Sequence, residues 1–459
     1  MTLIKSISGI RGTIGGNVGD NLTPLDTVKF ASAFGSWLKK RSSGNLKVVI
    51  GRDARISGSI IQSLVQSSLQ SLGFDVIDLG MSTTPTVEIA VPLENACGGI
   101  ILTASHNPKH WNALKLLNEK GEFVSSLDGN EILSIAEKED FIFSEVNDLG
   151  SLVSKDYMEK HVDMVLSLST VDPSLVKSAN FKVVVDGVNS TGGIYIPALL
   201  RKMGVEVIEL YCTPTGHFPH NPEPLPEHLI DLCESVVSFS ADLGFIVDPD
   251  VDRLAIVCED GSLFGEEYTL VAVADHVLKN QKGDTVSNLS STRALKDVSN
   301  KHGVNYHASA VGEVNVVEKM KEVNSPIGGE GNGGIIYPEL HYGRDSLVGV
   351  AIFLTHLAQS KMICSSLRKT YKDYFMSKQK VQLSPGIDVD AILSKISSIN
   401  SNEQLDIRDG VKINFSQEWV HLRKSNTEPI IRIYTESTSQ KKADQLAFRF
   451  MKEIKSLMA

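Results

Sequence analysis

Three aspartates at alternate positions, Asp248, Asp250 and Asp252, stand in Asp248-Pro-Asp-Val-Asp-Arg253, straight after the apolar run Leu243-Gly-Phe-Ile-Val247. If their carboxylates converge to about 5 Å at an effective dielectric near 20, mutual repulsion totals about 10 kcal/mol. A divalent cation reverses that sign, and an all-oxygen donor set suits Mg²⁺ or Ca²⁺ rather than a thiolate-seeking metal. Asp248, Asp250, Asp252 and Glu259 also fall at the first, third, fifth and twelfth positions of an EF-hand loop. However, Arg253 occupies the position where that loop needs glycine, and Leu254-Ala-Ile-Val257 reads as a strand. The plain alternative is a solvated acidic turn. Three protein oxygens leave a Mg²⁺ shell incomplete, to be filled by water or a phosphate oxygen.

A second stretch, Thr103-Ala-Ser-His-Asn-Pro108, follows the apolar run Gly98-Gly-Ile-Ile-Leu102. Pro108 stops any helix there and restricts Asn107. The chain therefore presents Ser105 and His106 on a turn at a strand end. A serine beside a strand end is commonly a turn residue with a satisfied hydroxyl. There is no G-x-S-x-G elbow, which argues against a hydrolase of that type. Ser105, Lys115 ten residues on and a Mg²⁺-type acidic knot together suit phosphoryl transfer, where metal and cations neutralise charge on the phosphoryl oxygens.

These stretches need elements to hold them. Thr23-Pro24 reads as a helix start, with Leu25, Val28, Ala31, Phe34, Trp37 and Leu38 on its apolar face. Lys47-Val-Val-Ile50 reads as a buried strand, and Ile60, Ile61, Leu64, Val65 and Leu72 mark a helix that Gly73 ends. Alternation recurs in strands at Phe181–Val185, Val205–Leu210 and Leu243–Val247 and in helices near Ile194–Gly204 and Pro226–Val237. A third round has a helix near Glu266–Leu278 and strands near Val286–Leu289 and Tyr306–Val311. Such alternation predicts mostly parallel sheets with helices on both faces. The end of the chain differs: strand runs flank the hairpin signal Asp409-Gly410, two more strands follow, and a helix begins near Ser439. The expected fold is three similar mixed α/β domains plus a C-terminal antiparallel α+β domain around a central cleft. The expected divisions are 1–150, 151–255, 256–370 and 371–459.

The 459 residues agree with about three or four domains. Hydrophobic content of 42% and charged content of 22% are ordinary for a globular protein. No apolar run approaches the ~20 residues that span a bilayer, and the N-terminus lacks a signal-peptide pattern. Five dispersed cysteines without a CxxC pair suggest reduced thiols in a cytoplasmic protein. A net charge of −10 disfavours nucleic acid as partner but leaves room for a small anionic substrate held by a local cationic cluster. No membrane partner is expected, and the chain is expected to be a monomer or homodimer.

Four stretches together resemble a known family. Thr103–Pro108, followed by Asn112 and Lys115, resembles the phosphoserine loop of the α-D-phosphohexomutases. Asp248–Arg253 resembles their DGDxDR metal loop. Gly328-Gly-Glu330-Gly-Asn332-Gly-Gly334 resembles their sugar-recognition loop, and Arg423-Lys-Ser425-Asn426-Thr427-Glu-Pro429 their phosphate loop. The motifs occur in the family's order across nearly the whole chain. Trp111-Asn-Ala113 stands where the family often has Tyr-Asn-Gly, and Asn332 stands at a common serine position. With Phe218–Leu229 and Gly343-Arg-Asp-Ser-Leu-Val-Gly349, these variants resemble the phosphoglucosamine-mutase-like branch of archaea and some bacteria.

The resemblance implies a Mg²⁺-dependent phosphohexose mutase that moves a phosphoryl group between the 6- and 1-positions through a phosphoserine and a hexose 1,6-bisphosphate. Glucosamine phosphates are the first expectation and glucose or mannose phosphates the near alternative. A metal-dependent sugar phosphatase and a non-catalytic sugar-phosphate sensor are the rival classes. Ser105 would carry the phosphoryl group, which with Asp248, Asp250 and Asp252 would hold one Mg²⁺ per chain. Arg253 would brace the same group, and His106 would hydrogen-bond near it. Lys115 is the candidate base, which requires its pKa to fall by about three units, or ~4 kcal/mol, helped by the metal and Arg52. Arg423, Ser425, Asn426 and Thr427 would grip the distal phosphate. Glu330 and Asn332 would meet sugar hydroxyls, and Arg11, Arg52 and Gly312 would line the cleft.

Overall fold

Strand Lys47–Arg52 shows how the first layer is built. Its side chains alternate. Val48 and Ile50 enter a core with Phe34, Leu38, Val65 and Leu69, while Val49 enters another with Val87, Val91 and Ile101. Helices Pro24–Arg41 and Gly58–Ser71 therefore cover one face of the sheet, and helix Thr84–Leu93 the other. The first helix starts where the sequence predicts. Thr23 and Asp26 form a reciprocal capping box with Pro24 at the first helical position.

This computed structural model describes every residue except 1, 7–8, 43, 385–386, 426–429 and 459. The chain packs as two compact units, Met1–Asn280 with Asn332–Arg368, and Gln281–Gly331 with Lys369–Ala459. In the first unit a seven-stranded sheet has the order Ile4–Ser6, Gly9–Thr13, Trp111–Leu117, Gly98–Leu102, Lys47–Arg52, Asp75–Met81, Leu152–Ser154. Lys47–Arg52 runs parallel to both neighbours, while Trp111–Leu117 returns antiparallel beside Gly98–Leu102, with Lys115 opposite Ile101. A four-stranded sheet has the order Leu254–Cys258, Leu243–Val247, Lys182–Asp186, Glu206–Leu210. Its last three strands are parallel, and Leu254–Cys258 closes an antiparallel hairpin with Leu243–Val247.

The second unit holds the parallel strands Tyr306–Ser309, Thr285–Asn288 and Ile327–Glu330, with Thr285–Asn288 between the other two. It also holds a five-stranded antiparallel sheet, Phe375–Gln382, Ile430–Ser437, Trp419–Lys424, Val411–Asn414, Gln404–Asp406. Helices Val389–Ile399 and Gln440–Met458 share the core of that sheet.

Mixed parallel sheets and an antiparallel final sheet agree with the expected fold class. Local differences have local causes. The helix expected over Pro226–Val237 is a 3₁₀ turn, Pro226–His228, and a helix, Ile230–Ser238. The two are separated at Leu229, which is buried and leaves the helical region at φ −100°, ψ 10°. The strand expected to reach Val311 stops at Ser309, because Gly312 turns the chain with φ +114° into helix Glu313–Val323. All five cysteines are free, and no helix among the described residues is long and apolar enough to cross a membrane.

Candidate active site

The serine turn is held from beneath by Arg55, which lies 1% exposed. Arg55 donates Nε to Asp53 Oδ2 at 2.9 Å. Its Nη1 donates to the carbonyls of Pro108 and Trp111, at 2.8 and 2.9 Å, and its Nη2 to those of Ser105 and Asn107, at 2.5 and 2.6 Å. Asp53 in turn accepts from Thr103 Oγ1 at 2.7 Å, and that oxygen accepts from the Ser105 N–H at 2.9 Å. Burial pushes the Asp53 pKa up, and Arg55 only partly offsets it. The fork fixes Ser105 in the left-handed region, φ +48°, which a non-glycine residue occupies only when its surroundings impose it. Sequence reading missed Arg55. It sits in the same Gly51–Gly58 stretch as Arg52, and nothing in the spacing says which arginine turns inward.

Asp248–Arg253 is the connection of the Leu243–Cys258 hairpin, not a helix-leading loop. Asp248 Oδ1 accepts from the N–H groups of Asp252 and Arg253, at 3.0 and 3.1 Å, which winds the loop around one carboxylate. Val251, a buried β-branched residue at φ +65°, records the tightness of the turn. All three aspartates are fully buried, and one carboxylate oxygen from each lies within 4.8 Å of the others.

The two sites meet within the first unit. Ser105 Oγ donates to Asp248 Oδ2 at 2.7 Å. Thr84 Oγ1 and Lys115 Nζ donate to Asp250 Oδ2, at 2.5 and 2.6 Å, while Lys115 lies 3.3 Å and Arg344 Nη2 2.7 Å from Asp252 Oδ2. Asp250 Oδ1 and Asp252 Oδ1 have no hydrogen-bond partner among the described residues. Buried carboxylate oxygens left without donors are costly unless a cation takes them, so the residues fit a divalent metal. Burial together with Asp252 and Asp250 holds the Asp248 pKa well above the usual carboxylate range.

Lys115 differs from expectation. Burial alone pulls its pKa down, but Asp250 and Asp252 outweigh burial and raise it. The cation acting against them is Arg344, not Arg52. Arg52 is turned aside: its Nε donates to Gln62 and its Nη1 to the Asp53 carbonyl, at 2.9 and 3.0 Å. His106 Nδ1 lies 3.3 Å from Ser105 Oγ, and burial, with Arg253 and Arg11 nearby, holds the imidazole pKa well below its ordinary value. Arg11 donates to Asn107 Oδ1 at 3.0 Å. Arg253 lies 3.3 Å from Glu223 Oε1 and 3.9 Å from Asp252 Oδ1. Asn332 Oδ1 accepts from the Gly334 N–H at 3.3 Å.

The second unit brings Glu330 and Gly312 together. Glu330 Oε1 accepts from Asn288 Nδ2 at 2.8 Å and from the Gly312 N–H at 3.2 Å. Arg423 Nε lies 2.8 Å from Asp409 Oδ2, off the N–H axis. The N–H of Ser425 donates to the Ile430 carbonyl at 3.1 Å. Asn426 and Thr427 lie outside the described residues.

Comparison with known proteins places the whole chain in one family. Residues 3–143, 156–261 and 265–374 match the phosphoglucomutase/phosphomannomutase alpha/beta/alpha domains I, II and III, and 376–453 match the C-terminal domain of the same family. A phosphoglucomutase/phosphomannomutase of Thermococcus kodakarensis is 35% identical over 438 residues, covering 94% of this chain and 95% of that one. A phosphoglucosamine/phosphogalactosamine mutase of Sulfurisphaera tokodaii is 32% identical over 450 residues, covering 95% and 96%. A solved phosphoglucomutase/phosphomannomutase family protein from Burkholderia thailandensis superposes with a TM-score of 0.86 at 25% identity, covering 99% and 98% of the two chains. Matched in all four domains and end to end by named mutases, the chain belongs to the phosphoglucomutase/phosphomannomutase family of α-D-phosphohexomutases and is an enzyme of the phosphohexose mutase class.

Proposed function

We propose that the chain is a Mg²⁺-dependent phosphoglucosamine mutase that works through phosphorylated Ser105 and a hexose 1,6-bisphosphate. The carrying observation is the 2.7 Å approach of Ser105 Oγ to Asp248 Oδ2, beside two carboxylate oxygens with no hydrogen-bond donor among the described residues. Asp248, Asp250 and Asp252 would hold the ion with an oxygen of the Ser105 phosphoryl group. When bound, the ion supplies Lewis-acid neutralisation of charge on that group.

The chain's own residues do the rest. Arg55 aims Ser105 by its backbone. The P–Oγ bond of phosphoserine breaks as a sugar hydroxyl oxygen bonds to phosphorus, and the hydroxyl proton passes to a base and from there to the released Ser105 Oγ. His106 Nδ1, 3.3 Å away, is placed to exchange a proton with Ser105 Oγ. Lys115 and Arg253 bring positive charge to the phosphoryl oxygens. The base role given to Lys115 from sequence requires the charge of Asp250 and Asp252 to be compensated first. The reverse transfer, from the other end of the bisphosphate, returns phosphorus to Ser105 and completes the isomerisation. Glu330, Gly312 and Asn332 would recognise the sugar. Arg423, Ser425, Asn426 and Thr427 would hold the distal phosphate, with Arg11 beside the serine turn. Segments 1–150, 151–255, 256–370 and 371–459 would carry phosphoserine, metal loop, sugar loop and phosphate loop in turn.

The sugar assignment is supported by the Asn332 variant and by the relative named for glucosamine and galactosamine phosphates. Measured kcat/KM for glucosamine, glucose and mannose 6-phosphates, each started with its 1,6-bisphosphate, tests it. Glucosamine phosphate is expected to lead by about tenfold, or ~1.4 kcal/mol of transition-state binding. A lead for glucose or mannose phosphate would overturn the sugar. Full turnover by Ser105→Ala would overturn the nucleophile, full turnover in EDTA the metal, and free phosphate forming faster than isomer the mutase outcome.

A further inference from the structure

Arg344 is not one of the residues that the sequence motifs assign, yet it is 8% exposed and reaches the fully buried Asp252. The segment around it clamps the acidic hairpin at several points. Gly333 accepts from the Leu254 N–H at 3.1 Å, just after the hairpin turn, and the Ser346 N–H donates to the Val251 carbonyl at 3.1 Å. Arg344 itself bridges antiparallel to Ile336, and the Asp345 N–H donates to the Ile335 carbonyl at 2.8 Å. From this frame Arg344 Nη2 donates to Asp252 Oδ2 at 2.7 Å, while Asp252 Oδ1 keeps no hydrogen-bond partner among the described residues.

The path of the side chain depends on a glycine. A Cβ on Gly334 would lie 2.4 Å from Arg344 Cδ and 3.1 Å from its Cγ. Those atoms belong to the middle of the stem, which cannot move aside without withdrawing the guanidinium. Gly334 is not among the glycines with positive φ, so the backbone does not demand glycine there; the space does.

We propose that Arg344 is a positioning residue of the metal centre: by engaging Oδ2 of Asp252 it leaves Oδ1 turned inward as the metal ligand, and Gly334 is the gap that lets it arrive. This rests on the metal reading under Proposed function. Two effects oppose each other. A guanidinium near a cation site repels the cation, whereas a pinned ligand is preorganised. Lys115 and Arg344 bond the carboxylates directly and Arg253 Nε lies 3.9 Å from Asp252 Oδ1, so positive charge surrounds the set with or without Arg344, and preorganisation is the effect expected to dominate. Partners that orient metal ligands are typically worth about 10- to 100-fold in affinity.

The test is calorimetric titration of Mn²⁺ alone into the full-length protein and its variants, with melting curves in EDTA to show folding. Arg344→Met and Gly334→Ala should each weaken Mn²⁺ binding about 10- to 100-fold. Each should also lower kcat while leaving KM for the hexose phosphate within about threefold, and Arg344→Lys should recover part of the loss. Because both act through one contact, the double variant should be no weaker than Arg344→Met. Binding by Arg344→Met as tight as wild type or tighter would overturn the proposal, since Arg344 would then be only a counter-charge. Losses that add in the double variant would overturn the role of Gly334. If Arg344→Met fails to fold, Gly334→Ala decides alone, and unchanged affinity there overturns the proposal. Failure of the metal reading itself is seen separately, in wild-type protein that takes no Mn²⁺, and overturns both.

Discussion

Arg55 Nη2 donates to the carbonyl oxygen of Ser105 at 2.5 Å, so the residue that aims the candidate nucleophile touches its backbone and not its hydroxyl. With its other bonds to the Asn107, Pro108 and Trp111 carbonyls, the guanidinium supplies the turn with donors that a strand or helix would otherwise provide. Lysine can carry the charge here but not the fork.

Arg55→Lys should therefore lower kcat by about 10²-fold through misplacement of Ser105, with KM little changed. Removing the charge with Arg55→Met leaves Asp53 buried and unpaired, which should cost about 3–5 kcal/mol of stability. Adding Asp53→Asn should restore much of the stability and none of the rate. Denaturant melts and initial rates on the same preparations separate the two effects, and recovery of both together would refute the positioning role.

Much of this arrangement could be read from residue order. The buried run before Asp248, the alternate aspartates and the proline after Ser105 each imposed a local geometry, and the structure has it. The hairpin at Asp409-Gly410 and the helix start at Thr23-Pro24 were legible for the same reason, since their signals lie within a few residues. What was illegible acts across the chain. Arg55 and Arg52 are equivalent as letters, and only the packed turn shows which one bonds to the carbonyls. Arg344 and Gly334 are ten residues apart and far from Asp252 in sequence, so their relation to it exists only after folding. Charge balance around Lys115 is likewise set across the chain. The lowering expected for it relied on the ion and on Arg52; Arg52 is turned to Gln62, and without the ion two carboxylates at 2.6 and 3.3 Å act the other way.

The acidic cluster should trade stability for chemistry. Asp248 is pushed upward by burial and by its two neighbours, so the metal-free protein bears the strain of the triad. Asp248→Asn keeps its oxygen for the Asp252 and Arg253 N–H groups, turns Nδ2 to Ser105 Oγ, which can accept, and removes one charge. In EDTA its melting midpoint should rise by about 2–4 °C, roughly 1 kcal/mol. Mutase turnover with Mg²⁺ should fall by about 10²-fold or more. A midpoint that falls in EDTA would show that the aspartate charge stabilises this fold without any ion.

A histidine clasp offers a pH test away from the triad. His341 lies between Asp345 Oδ2 and Glu88 Oε2, each 3.3 Å from a ring nitrogen, with its side chain 11% exposed. Asp345, at the cap of helix Ser346–Ser360, also meets His161 Nε2 at 2.9 Å, from helix Met158–Leu166. Burial alone would pull His341 down, but Asp345 and Glu88 outweigh it and push it up to about 10. Its folded pKa thus exceeds the unfolded value near 6.5, so its contribution is full below about pH 6.5 and fades as pH rises towards 10. The melting advantage of wild type over His341→Gln should shrink steadily from pH 7 to pH 10. An advantage independent of pH would mean that the ring is not protonated.

Asp409 closes the comparison between the two kinds of motif, because a turn residue in sequence becomes a coupling residue in space. Its Oδ2 lies 2.8 Å from Arg423 Nε and accepts from the Val311 N–H at 2.9 Å, while Gly312, next in the chain, donates to Glu330. Within the second unit, the arginine proposed to hold phosphate and the backbone proposed to hold sugar therefore share one carboxylate. Both Arg423 and Asp409 are about one-fifth exposed, at 18% and 21%, so the pair is screened, and its value lies in orientation more than in Coulomb energy. Asp409→Asn keeps the turn chemistry and an acceptor for Val311 but releases the arginine. KM for the hexose phosphate should rise about five- to tenfold, near 1 kcal/mol, with a smaller change in kcat, because the freed side chain must be ordered on binding. Inhibition by inorganic phosphate should weaken in step. The opposing effect is repulsion between Asp409 and the incoming dianion. If that dominates, KM will fall and phosphate inhibition will strengthen, and Asp409 will be a gate against phosphate instead of a brace for Arg423.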